Sequence, residues 1–340
     1  MAALPLKGLA TSLVSDPKLM WEIPSMWSLE EASTVPMAYL TAYYSLMVRG
    51  RMRKGETVLI HAGSGGVGVA AIAVALSMDC KVFATVSSKE KREFLQKRFP
   101  TLMNDNFADS RDERDFEKVV RQGTQGRGVD IVLNSLALDK LQASIRCLAH
   151  YGRFIEIGKF DLFNNSDLGM EIFLKSITFH GILIDSLLQH ESDEKEQVWR
   201  LLKEGTLSGV VQPLPYTIFS HEKIEEAFRF MASGKHMGKI LIQIRDADGN
   251  ISEIKPENQS LDQGGIINEK QDLNNNFGKV DGVTEFQEQA QEGATFEIES
   301  ISANSSTVAN ILQNNIPRQI HAIRRTFFQP SKSYVVIGGL

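Results

Sequence analysis

The sequence predicts an α/β fold, a parallel sheet with helices on both faces, and three observations carry that expectation. From residue 57 to residue 204, short apolar runs alternate with helical patterns. Those runs are almost continuously apolar, as strands covered on both faces must be, rather than alternately apolar and polar. The first of them also leads directly into a glycine cluster at residues 62–68 that opens a helix.

Bulk properties set the outer bounds. The chain has 340 residues, 42% hydrophobic and 23% charged, which is enough apolar material for a sizeable core. A formal charge of -5, with no lysine and arginine stripe interleaved with aromatics, argues against nucleic-acid binding. No apolar run reaches the about 18 residues of a membrane helix, so no membrane span is expected. Residues 1–21 lack the basic cluster, apolar stretch and cleavage site of a signal peptide, so a cytoplasmic location is expected. Cys80 and Cys147 are too few for a multi-cysteine zinc cluster and read as small buried side chains, so no metal is expected.

Along the chain, residues 1–27 read as short extended pieces punctuated by Pro5, Pro17 and Pro24, the tail of something longer. Ser28 and Glu31 form a capping-box pair ahead of a helical pattern over 29–47, and Pro36 within it leaves two successive helices or one kinked helix. Strands are expected at 57–61 and 81–86, separated by an apolar helix at 69–78 and followed by a more polar helix at 89–99. The pattern repeats as helix 115–122, strand 129–134, helix 140–147, strand 152–157, strand 177–184 and helix 195–204. From 209 to 244 the texture becomes strand 210–214, helix 222–232 and strand 239–244. Residues 246–330 are mostly polar and cannot bury enough surface to offset ordering, so a flexible linker is expected, with a short helix around 308–312. Residues 331–340 include SYVVIGGL, a strand running into two glycines and reading as another nucleotide-binding unit cut at its first loop.

Gly63, Gly65 and Gly68 fit G-x-G-x-x-G after a strand and at the mouth of a helix, the Rossmann-type arrangement. The first glycine permits the turn, the second lets the backbone approach a pyrophosphate, and the third allows close helix packing. Gly66 and Val67 lie in the same loop, at the mouth of the helix, whose first N–H groups are free for a diphosphate. A dinucleotide is therefore expected, against the plainer reading of a glycine turn that only packs closely. The second strand ends in Thr85, Val86, Ser87 and Ser88 with no acid, and Lys89, Lys91 and Arg92 follow. Hydroxyls beside positive charge suit a 2'-phosphate, so NADPH is favoured, the alternative being an N-cap serine and an exposed basic face.

Asn134 with Ser135, and Gly158 with Lys159, follow strands and so lie where ligands of open parallel sheets collect. On the residues alone, Lys159 reads equally as a surface lysine in a turn and Asp185 as a helix cap or loop acid. Asp130 reads as a polar strand start, and His61 as a packing histidine, since no partner ligand lies at short spacing.

The segments HAGSGGVGVAAIAVA, IVLNSLALDKLQASIRCLAHYGRFIEIGKFDL and FRFMASGKHMGKILIQI together resemble the enoyl reductase domain of animal multidomain fatty acid synthase and related polyketide synthases, in the medium-chain dehydrogenase/reductase superfamily. The resemblance spans about residues 1–245. It implies NADPH-dependent reduction of trans-2-enoyl thioesters on acyl carrier protein, without a metal, beside the other synthase domains. By the same resemblance Lys159 donates a proton or stabilises the enolate, Asp185 sets its position and pKa, and Ser87, Ser88 and Lys91 surround the 2'-phosphate. It further implies a Rossmann domain over 28–209 and an incomplete β-rich, GroES-like substrate domain of which 1–27 and 210–245 are remnants. Residues 331–340 are similar to the first strand of a ketoreductase domain, so a truncated synthase segment with impaired reduction is expected. Two other readings stay open: a non-catalytic NADPH-binding fragment, and a freestanding quinone or enone reductase.

Overall fold

Apolar strands without alternation need a core on each face, and the chain supplies two. A computed structural model of the chain describes residues 1–3, 16–244 and 334–337. Six strands, β1 (Thr57–Ile60), β2 (Lys81–Val86), β3 (Phe107–Asp109), β4 (Val129–Asn134), β5 (Leu148–Glu156) and β6 (Thr178–Gly181), form one sheet in the order β3-β2-β1-β4-β5-β6. Every neighbouring pair in it is parallel. This is a Rossmann-type α/β fold, as the sequence predicts.

The helices on the two faces are α1 (Leu29–Ser33), α2 (Pro36–Tyr43), α3 (Gly66–Ser77), α4 (Lys89–Arg98), α5 (Glu113–Gly123), α6 (Asp139–Arg146), the single turn α7 (Phe160–Phe163), α8 (Ile184–Gln189) and α9 (Asp193–Leu207). Successive strand residues point to opposite faces. Val58, Ile60, Ala84, Ile131 and Ile155 join a core with α2, α3 and α9, while Leu59, Phe83, Val132 and Phe154 join another with α5 and α6. Each fully buried side chain of this size contributes about 1.5–3 kcal/mol.

Helix starts follow local chemistry. Ser28 and Glu31 close their capping box, and Pro36 occupies the first turn of α2, so the 29–47 pattern resolves into two helices in succession. Residues Tyr44–Arg49 then form a π-helical turn. At the N-terminal side, Leu19 and Trp21 share the core of α2 and α9. Trp21 Nε1 donates to Trp199 O and Trp199 Nε1 to Met20 O, each at 3.2 Å, a reciprocal indole pair that fastens residues 20–21 to α9.

The structure departs from the sequence reading at three places. β3 was absent from the sequence reading, because three residues amid polar sequence carry no legible period. The expected strand at 210–214 is irregular instead: Pro213 and Pro215 offer no ladder donor. Its amides find side chains, with Gln212 N–H donating to Tyr39 Oη and Leu214 N–H to Thr34 Oγ1. The strand of this region is β7 (Tyr216–Ser220), which pairs in parallel with β8 (Lys239–Gln243) across α10 (Ile224–Ala232). Finally, the strand expected at 177–184 stops at Gly181, and the chain turns into α8, so Asp185 lies in a first helical turn rather than at a strand end.

The expected terminal strand is present as β9 (Tyr334–Ile337), antiparallel to β8. The expected linker at 246–330, with its helix at 308–312, lies outside the described residues. No helix among the described residues is long and apolar enough to cross a membrane.

Asp130, second in β4, holds the lower ends of two strands together. Its Oδ2 accepts from Thr57 N–H and Thr57 Oγ1, both at 2.8 Å, and Arg127 contributes a bidentate pair at 2.7 and 2.9 Å. These bonds, the Arg127 pair first, hold its carboxyl well below the usual carboxylate range. A depressed carboxylate stabilises the fold above its unfolded pKa and loses that contribution as pH falls through the folded value. Asp130→Asn is expected to cost about 1–2 kcal/mol in urea denaturation at neutral pH, with the gap to wild type closing below about pH 4.

Candidate active site

The glycine loop is shaped by close approach. Beyond β1 the backbone reaches Ala62 at φ +50°, and Gly63 N–H donates to Thr85 O at 2.9 Å, which bends the loop over β2. A Cβ on Gly68 would strike Ala62 O and come within 2.7 Å of Gly63 Cα, so helix α3 can sit this close only on glycine. A Cβ on Gly65 would meet only Ala62 O, at 3.3 Å, leaving its outer side open. Gly65 caps α3 without a side-chain bond, and the first intrahelical bond is Val69 N–H to Gly65 O. The amides of Gly66, Val67 and Gly68 therefore face outward at the positive end of a twelve-residue helix. This donor set fits a diphosphate.

Lys239 lies against this loop, a residue the sequence reading passed over as part of a strand. Its side chain is buried and would touch a Cβ on Gly66 at 2.8 Å through Cδ and Cε. Burial pushes its ammonium down to about 8. The segment before it crosses the loop: Gly238 N–H donates to Ser64 O at 2.9 Å, and Gly65 bridges Gly238 in parallel.

At the end of β2, Ser87 is half-buried and Ser88 caps α4 by accepting from Lys91 N–H. Lys91 Nζ donates to Gly234 O at 2.6 Å. Burial first, and Arg111 second, hold its pKa below the ordinary lysine value. Arg111 thus belongs to this basic corner although it is remote in sequence. His236 does too, its pKa lowered by burial and then by Lys91 and Lys239. Glu90 shares the Ser88 hydroxyl, which keeps its exposed carboxyl below the ordinary range.

Lys159 and Asp185 come together beyond the ends of β5 and β6, with Nζ 3.4 Å from Oδ2 and both side chains partly open to solvent. Asn134 does not reach the surface. Its Nδ2 donates to Leu136 O at 2.7 Å and to Glu156 Oε2 at 2.5 Å, so its side chain lies beneath the site and Ser135 lies at the turn above it. His61 is a packing residue, with Nδ1 3.1 Å from Thr85 Oγ1 and Nε2 2.9 Å from Ser144 Oγ. Ser144 Oγ donates to Lys140 O, so His61 Nε2 carries the proton, and burial pushes its pKa down to about 3.

Residues 102–242 match the family model described as zinc-binding dehydrogenase. The chain is 42% identical over 238 residues to highly reducing polyketide synthase 40 of Fusarium mangiferae, covering 67% of this chain and 9% of that protein. It is 44% identical to squalestatin tetraketide synthase of a Phoma species over 224 residues, 65% of this chain and 8% of that one. The chain thus spans less than a tenth of the length of these relatives. Among solved structures it resembles the CurK enoyl reductase, with 33% identity, a TM-score of 0.59, and coverage of 66% of this chain and 65% of that one.

Fold and site together define an NAD(P)H-binding Rossmann domain of the medium-chain dehydrogenase/reductase type. Within that class the chain carries an enoyl-reductase domain. The matched relatives are polyketide synthases, so the family likeness is not specific to animal fatty acid synthase. The zinc in the family's description finds no fit here: among the described residues no group of three or more His, Cys, Asp or Glu could hold a metal ion, and burial pushes the Cys147 thiol up to about 12.

Lys239→Met is expected to weaken NADPH binding about tenfold in a fluorescence titration while stabilising the unliganded protein. Because its folded pKa is depressed, the wild-type stability rises with pH between about 8 and 10.5, and the variant lacks that rise.

Proposed function

We propose that this domain reduces trans-2-enoyl thioesters, carried on acyl carrier protein, at the expense of NADPH within a multidomain synthase. The observation that carries the reading is the Lys159–Asp185 pair at the same edge of the sheet as the glycine loop. NADPH, when bound, supplies the hydride for the β-carbon.

The remaining work falls to the chain. Gly66, Val67 and Gly68 amides and Lys239 hold the diphosphate, while Ser87, Ser88, Lys91 and Arg111 surround the 2'-phosphate. Lys159 meets the charge that develops on the thioester oxygen, or delivers the proton to the α-carbon, and Asp185 keeps its side chain aimed. Exposed Phe160, Leu162 and Leu183, neighbours of Lys159 and Asp185 along the chain, offer apolar surface for an acyl chain. The sequence resemblance points to fatty acid synthesis and the matched relatives to polyketide assembly. A trans-2-enoyl thioester on a pantetheine arm is the substrate common to both.

A second reading, a domain that binds NADPH without reducing an enoyl group, draws support from the openness of Lys159, whose side chain is 35% exposed. The two separate on NADPH oxidation with crotonyl-pantetheine. Lys159→Ala is expected to lower kcat at least about 100-fold with the NADPH Kd unchanged, as removal of a proton donor or oxyanion partner does. Tight NADPH binding with no wild-type turnover supports the second reading. Lys91→Ala is expected to cut the preference for NADPH over NADH about tenfold, measured as the ratio of their Kd values.

A further inference from the structure

Beneath the Lys159 turn lies a carboxylate for which the proposed chemistry has no use. Glu156, the last residue of β5, is 2% exposed. Both its oxygens are engaged: Oε2 accepts from Asn134 Nδ2 at 2.5 Å, and Oε1 from Gly158 N–H at 2.6 Å. The turn is fitted to it, since a Cβ on Gly158 would come within 2.8 Å of Oε1. Asn134 is fixed in turn by Leu136, donating to its carbonyl and accepting from its amide.

We infer that Glu156 is a positioning residue for Lys159: its ionised carboxylate bridges the Asn134 side chain to the Gly158 amide and fixes the turn that presents the lysine, and protonation releases it. The inference rests on the reading of Lys159 as the reacting group. Both partners of Glu156 are donors. A proton on either oxygen leaves it a poorer acceptor beside a donor, and the bond to that oxygen weakens. The Gly158 bond gives way more readily, because Asn134 is pinned from two sides.

The surroundings leave the titration to Glu156. Adjacent strands present Asn134 from β4 and Gly181 from β6, neither of which titrates. The charged group facing it is Asp161 of α7, which accepts from Leu138 N–H and opposes ionisation of Glu156. Burial, more than Asp161, pushes the Glu156 carboxyl up to about 7, against the pull of Asn134 and Gly158. On this inference the turn changes state near neutral pH.

Two measurements test this on the whole chain. In wild type, the Gly158 amide proton shift followed by NMR is expected to titrate with a midpoint near 7 and to lose that titration in Glu156→Gln. In the enoyl thioester assay, Glu156→Gln is expected to lower kcat about tenfold and remove the acid limb of its pH profile. The NADPH Kd, read by titration, stays within about twofold. The exchange Asn134→Asp with Glu156→Gln, which restores one donor facing one acceptor, recovers part of the rate. A Gly158 amide that does not titrate, or a Glu156→Gln enzyme with unaltered kcat and pH profile, overturns the inference. If wild type reduces no enoyl thioester, the proposed activity fails while the Gly158 titration still decides whether Glu156 governs the turn.

Discussion

Everything at the site depends on how closely α3 approaches the first two strands. The third glycine of the loop has backbone where a side chain would go, and this contact alone lets the helix begin directly above the sheet. Its unbonded amides then face the space beyond the end of β1, and Lys91 and the Lys159–Asp185 pair lie beyond the ends of other strands of the same sheet. A helix set back by one methyl group would withdraw those amides from the ends of the first two strands. The sheet supplies the rigid frame for that placement, because its strands are buried on both faces and cannot shift without opening two cores.

What the sequence made legible is what short-range pattern encodes. The alternation of runs, the loop at Gly63 to Gly68 and the cap at Ser28 each depend on residues within a few positions of one another, whereas Lys159 and Asp185 stood out only through a family resemblance. Lys239 and Glu156 escaped because their meaning lies in contacts across the fold. Lys239 reads as a polar strand residue until the chain brings it, some 170 positions on, against Gly66. Glu156 passes unremarked within the expected strand at 152–157 until Asn134 and Gly158 close over it. Residues 210–214 misled for the opposite reason. Their buried Val211 and Leu214 satisfy an apolar pattern, but two prolines and the side chains of Tyr39 and Thr34 replace the ladder that the pattern implies.

The site also concentrates groups that cost the fold stability. Lys239 is a buried ammonium lying against Gly66, and Glu156 is a buried carboxyl whose raised pKa makes folding less favourable as pH rises from 4.5 to about 7. His61 shows the contrasting solution: a polar ring equally buried, but neutral and matched by hydroxyls on both nitrogens. Charge is thus retained beside the glycine loop and the Lys159 turn and avoided where packing alone is at stake.

The reciprocal indole pair has a practical side. Trp21 and Trp199 are two of the three tryptophans in the chain, and each indole nitrogen is bound to a main-chain carbonyl at the junction of the N-terminal segment with α9. Their emission consequently carries a colour signature of that junction: detachment would expose both rings to water and move the spectrum to longer wavelength. The protein contains its own optical gauge of whether its first residues are seated.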